Sequence, residues 1–171
     1  VVALMDLPSG VGDYFKDFVQ DIEAASLGYH ITMVSVLGRG KDSIIQLKRL
    51  IEVCGNQVDY VVVKNLYWGE EDDEIFIKYN ESKTRKSVLE LGAIEVNFFP
   101  LIHTAYDRID FQDLTFTEAM THEELTPSNK MRLSVWIPKN ESELISCGSF
   151  LGLEGTIPRD RDTLRKGKIE K

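Results

Sequence analysis

Asp59-Tyr60-Val61-Val62-Val63 is the stretch that decides the fold. Three consecutive valines behind a tyrosine, with no polar residue alternating between them, describe a strand covered on both faces. Such strands belong to parallel sheets under helices. Ile31 to Leu37 reads as the strand before it, Ile94 to Phe98 as one after it, and Val1 to Met5 as a strand opening the chain. Between these runs the apolar spacing becomes helical. Phe15, Phe18, Val19, Ile22 and Ala25 line one face within residues 14–25, and Gly28 supplies a stop. Ile44, Leu47, Ile51 and Cys54 form a second stripe, which Asp42 can cap and Gly55 can end. Ser82 or Thr84 can start a short helix that turns Val88 and Leu91 inward, and Pro100 breaks the pattern after the last strand. Phe111 to Glu124 and Pro127 to Ser146 read as mainly helical, with Pro138 expected to end or kink the second.

The expected architecture is therefore α/β, a mostly parallel, Rossmann-like sheet with covering helices. At 171 residues the chain suits one domain that buries roughly 70% of its unfolded surface. Residues 1–155 are assigned to that domain and the charged, apolar-poor residues 156–171 to a tail or surface helix. Termini seldom form strands, so an apolar run at Val1 suggests a segment upstream. No run nears the length of a membrane span. Cys54 and Cys147 are too few for a disulfide framework, which points to a reducing cytoplasm. A formal charge of -8 disfavours direct nucleic-acid binding by the surface as a whole, leaving only indirect association or a local patch.

Chemistry concentrates in Asp6-Leu7-Pro8-Ser9-Gly10-Val11-Gly12-Asp13. A carboxylate at the carboxyl end of a strand sits where α/β proteins bind ligands, and it can hold a hydrated divalent cation. Gly10 and Gly12 let backbone approach an anion. The same composition also fits an ordinary Gly-rich turn in which Asp13 caps the next helix.

An apolar strand followed by Asp-x-Pro-x-Gly-x-Gly-Asp resembles the switch region of the MinD/ParA-like ATPases, including the Mrp-type scaffold proteins. These are three-layer P-loop NTPases with a deviant Walker A motif. The resemblance covers about the first 100 residues. It implies ATP and Mg2+ as cofactors, with Asp6 in the magnesium shell and Gly10 in the loop that senses the terminal phosphate, so both become catalytic candidates. It further implies a cytoplasmic protein with a partitioning, positioning or assembly role, as a homodimer or with a protein partner. Val61-Val62-Val63-Lys64-Asn65 resembles the family segment whose Asn meets the adenine base, and Phe99-Pro100 resembles its other base-side loop. Asn65 can offer donor and acceptor to a purine edge, or can simply close a strand-terminal turn. Pro100 would contribute shape.

The family's lysine-bearing Walker A loop is expected upstream of Asp6. Gly38-Arg39-Gly40-Lys41-Asp42-Ser43 does not replace it, because Ser35 stands at the first required Gly and Asp42 at the magnesium-binding hydroxyl. It reads as a crossover turn, with Arg39 or Lys41 as an auxiliary phosphate or partner contact. Turnover would need the missing loop. A non-catalytic scaffold that retains the fold is the competing reading, and a small flavodoxin-like or receiver-like regulatory domain is a third.

Other signals are weaker. The acidic run Glu70 to Glu74 reads as a solvated loop or a cation- or partner-facing patch, and Tyr67-Trp68 as a packed loop or an interface anchor. Lys83, Arg85 and Lys86 read as a solvated helix start rather than a nucleic-acid contact. His30, His103 and His122 are too scattered for a zinc site. The glycosylation spacings at Asn80 and Asn140 carry no meaning in a cytoplasmic protein.

Overall fold

The computed structural model describes residues 2–6, 30–69 and 75–153. The described residues are α/β. Three strands, β1 (Thr32–Leu37), β2 (Asp59–Asn65) and β3 (Ile94–Phe98), form a parallel sheet in that spatial order. Val61 of β2 stands opposite Val34 and Ile94, and Asn65 opposite Phe98. Parallel neighbours need crossovers, and helices supply them. α1 (Lys41–Cys54) joins β1 to β2. The single turn α2 (Ile77–Asn80) and α3 (Lys83–Glu90) lie between β2 and β3.

Side chains alternate across the sheet, so the central strand β2 feeds a core on each face. On one face Met33, Leu37, Tyr60 and Val62 meet Leu47 and Cys54 of α1 and Val88 of α3. On the other, Val61, Val63 and Val96 meet Cys147 and the partly buried Phe150 and Leu151. This second face is covered from the C-terminal half of the described chain. α4 (His103–Phe111), α5 (Phe116–Ala119), α6 (Pro127–Ser146) and α7 (Gly148–Leu151) follow β3. The Thr32 hydroxyl donates to the Phe150 carbonyl at 2.6 Å, tying the start of β1 to α7. A third core joins Ile109, Ala119, Leu125, Leu133 and Trp136 beside the sheet. Both thiols are free and buried, Cys54 in the first core and Cys147 in the second. Burial pushes the Cys54 thiol up to about 11 and raises that of Cys147 as well.

Several expectations need correction. Residues 2–6 form no strand, and Leu4 is 95% exposed. An apolar run becomes a strand only by pairing, and β1 pairs with β2 alone among the described residues. Asp42 does not cap α1. Gly40 is the N-cap, and the Ser43 hydroxyl closes the turn by accepting the Gly38 N–H at 3.2 Å and donating to the Gly40 carbonyl at 3.2 Å. Asp42 instead sits in the first turn, where its charge complements the helix dipole. Residues 111–124 are mostly turns. α4 stops at Phe111, Asp113 takes a left-handed φ of 52°, and Thr115 with Glu118 builds a capping box that starts only the short α5. Pro138 does not end α6, because Leu133, Trp136 and Asn140 are buried on both sides of it and carry the helix through. The expected helix at 14–25, Gly10, Asp13, the acidic run and the tail lie outside the described residues.

Gly55 ends α1 as anticipated, at φ 50° and ψ −124°, and its N–H donates to Ile51. A Cβ placed there would meet nothing within 4 Å, so the whole cost of Gly55→Ala is backbone strain. It should lower the unfolding free energy by about 1–3 kcal/mol in urea denaturation. A neutral result would show that the turn relaxes.

Candidate functional site

Because all three strands run the same way, their carboxyl ends share one edge of the sheet. That edge presents the Gly38–Gly40 turn after β1, Asn65 at the end of β2 and Phe99-Pro100 after β3. Asn65 and Phe98 are register partners, so the structure brings Asn65 and Pro100 onto adjacent strand ends.

The Asn65 carboxamide oxygen accepts the Tyr67 N–H at 3.1 Å and starts a single 3-10 turn, Leu66–Trp68. This fixes the side chain and commits one acceptor. The exposed Tyr67 ring meets His103 edge-on, with centroids 5.8 Å apart, and His103 opens α4 just beyond Pro100. Asn65, Tyr67, Pro100 and His103 thus belong to one neighbourhood.

Phe99 is clamped from α6. Its N–H donates to the Asn140 carboxamide oxygen at 2.8 Å, and its carbonyl accepts the Trp136 indole N–H at 2.8 Å. Asn140 in turn donates to the Trp136 carbonyl at 3.0 Å, while the Lys139 ammonium lies 3.5 Å from the centre of the Phe99 ring. One strand residue earlier, the Asn97 N–H donates to Glu143 at 2.8 Å. Residues 136, 140 and 143 lie one turn apart on a single helix face. The sequence signal for this clamp is an Asn in the buried stripe of a helix, at Asn140, where an apolar residue would ordinarily sit.

Behind the edge, on the α1 and α3 face, lies a polar network. Lys64 is buried and donates to the Asn80 carboxamide at 3.1 Å. The Tyr79 hydroxyl donates to Glu95 at 2.7 Å, and Arg85 grips Glu95 through Nε at 3.0 Å and Nη2 at 2.8 Å. Burial alone would push the Glu95 carboxyl up. The Arg85 and Tyr79 hydrogen bonds and the Lys64 and Arg85 charges outweigh it and hold the group below its ordinary value. Arg85 is therefore an ion-pair partner rather than part of a solvated patch.

The remaining candidates stand apart. Asp6 is exposed at the end of the unpaired segment 2–6, and no hydrogen bond or ion pair among the described residues ties it to Asn65 or Pro100. Among the described residues no three His, Cys, Asp or Glu side chains gather as a metal ligand set. No described helix is long and apolar enough to cross a membrane. The residues fit an adenine nucleotide in part. Asn65 retains an amide to donate to a purine acceptor, whereas the Phe99 N–H is already taken, so backbone contacts to a base would have to come from beyond Phe99. Asp6 is exposed and would offer a hydrated Mg2+ a single carboxylate from among the described residues. No family model and no curated protein matches this chain.

Proposed function

We propose that the chain is part of an adenine-nucleotide-binding, P-loop NTPase-like protein of the MinD/ParA class, in which Asn65 reads the base and the Phe99-Pro100 loop walls its pocket. The observation that supports this most is the register of Asn65 against Phe98, which sets two base-side elements side by side on the carboxyl edge of a parallel sheet. The α6 clamp on Phe99 keeps that wall rigid before any ligand arrives. Arg39 and Lys41 are exposed after the neighbouring strand and provide positive charge on the phosphate side of the same edge. Asp6 would contribute to the shell of a bound Mg2+, which on binding would neutralise phosphate charge. Hydrolysis requires a lysine-bearing phosphate loop, and residues 38–43 do not supply one, because Ser35 stands at the first required Gly and Asp42 at the magnesium-binding hydroxyl.

The test exploits the double use of Asn65. Asn65→Asp keeps an oxygen to accept the Tyr67 N–H but loses the amide donor, so the fold is retained while base recognition is not. Titration calorimetry with ATP and Mg2+ should show saturable binding that favours ATP over GTP and weakens about tenfold in the variant, at unchanged melting temperature. Absence of binding up to about 1 mM would remove autonomous nucleotide recognition by this chain and favour the scaffold reading.

A further inference from the structure

The face formed by α4 and α5 has no part in the nucleotide reading, yet it is unusual in two independent ways. It exposes aromatic rings. Phe111, the last residue of α4, is 86% exposed, and Tyr106 and Phe116 are each at least 40% exposed. Tyr106, Ile109 and Phe116 line a cleft of about 480 Å³, with the carboxylates of Asp110 and Asp113 on its rim. A second cleft of about 630 Å³ adjoins it across Leu114 and is edged by Glu118, Glu123 and Glu124. The face is also strongly acidic. Residues 101–125 hold six carboxylates against Arg108 alone, and all six are exposed.

Exposed rings beside an apolar cleft mark a place where surface is removed from water on contact. The carboxylates say what kind of surface. An anionic membrane or a nucleic acid would be repelled, and a second copy of a chain carrying -8 would bring the same charges to its own face. A small polycation would satisfy the carboxylates and leave the rings in water. Only an occupant that is basic and apolar at once complements both features.

We propose that this face docks a basic amphipathic segment of a protein partner. The apolar side of the segment fills the Tyr106–Phe116 cleft and covers Phe111, while its Lys or Arg side chains pair with Asp110, Asp113 and Glu123. The Thr115 N–H and hydroxyl hold Glu118, and Gln112 holds Glu124, so these two shape the second cleft.

The probe is a synthetic 14-residue peptide of leucine and lysine at helical spacing, titrated into the whole chain, with a leucine and glutamate peptide as its counterpart. The lysine peptide should bind, more weakly as salt rises, and the amide shifts it causes should fall within residues 102–125. Phe111→Ser should weaken binding about tenfold, as should Asp110→Asn combined with Asp113→Asn. Phe111 is already in water, and Asn tolerates the left-handed φ at 113, so both variants keep the fold. Asp42→Asn combined with Glu52→Gln, on α1, should leave affinity unchanged. The proposal is overturned by lack of binding at about 1 mM, equal binding of the glutamate peptide, equal weakening by the α1 variant, indifference to Phe111→Ser, or shifts centred elsewhere. Sedimentation that shows self-association abolished by Phe111→Ser would also overturn it, by making a second copy the occupant.

Discussion

Trp136→Ala should lower the unfolding free energy by about 3–5 kcal/mol, read from the urea midpoint followed by circular dichroism. The indole is nearly buried and stacks edge-on against Phe98 at 5.6 Å and tilted against Phe116 at 4.7 Å. It therefore joins the last strand, α5 and α6 in one contact. Its N–H also holds the Phe99 carbonyl, so truncation opens a cavity and releases the loop that carries Pro100. Trp136→Phe separates the two effects. It keeps most of the packing and loses the donor, and should cost only about 1–2 kcal/mol. A loss under about 1 kcal/mol for the alanine variant would show that α6 does not organise this end of the sheet.

The second large effect is at Arg85. Its alanine variant leaves the Glu95 carboxylate half-buried without its bidentate partner, at a cost of about 2–3 kcal/mol. That is less than for a fully buried pair, because about a third of the Arg85 side chain reaches solvent. The pH dependence carries the sign. Glu95 is held below its ordinary value in the folded chain, so the stability it contributes is fully present above the unfolded carboxyl pKa of about 4.5 and is lost as pH falls through the lower folded value. Without Arg85 the burial that was outweighed gains influence and the carboxyl moves up. The variant should then lose less stability than the parent between about pH 5 and pH 3. Parallel acid curves for the two proteins would show that Arg85 contributes packing rather than charge.

Local patterns in the sequence carried much of this fold. The β-branched runs around Val61 and Val96 became strands, Pro127 to Ser146 became a helix, and Gly55 and Ser82 bounded theirs. In each case the decisive preference lies within a few residues. The misses share a different cause. Val1 to Met5 has strand composition but no partner among the described residues, and composition cannot supply one. Asp42 is a good capping residue set two positions too late, since Gly40 already had the extended backbone a cap requires. The Arg85–Glu95 pair links a helix to a strand it meets only after folding, so nothing in the linear order marks it, and the Trp136–Asn140 clamp shows in the sequence only as an Asn within a buried helical stripe. Asn65 is the intermediate case. Both a base contact and a strand-terminal turn were legible in its carboxamide, and the structure shows the turn, with the oxygen accepting the Tyr67 N–H.

The two thiols lie on opposite faces of the sheet, and this makes them separate chemical clocks. Cys54 is sealed beneath α1 and Cys147 at the junction of α6 and α7. For Cys54 the rise to about 11 also cuts the reactive thiolate roughly a hundredfold relative to an ordinary thiol, so alkylation in the closed state is negligible. Each cysteine can then react only when its own layer lifts. The order in which they modify reads whether the helices leave the sheet together or one side at a time.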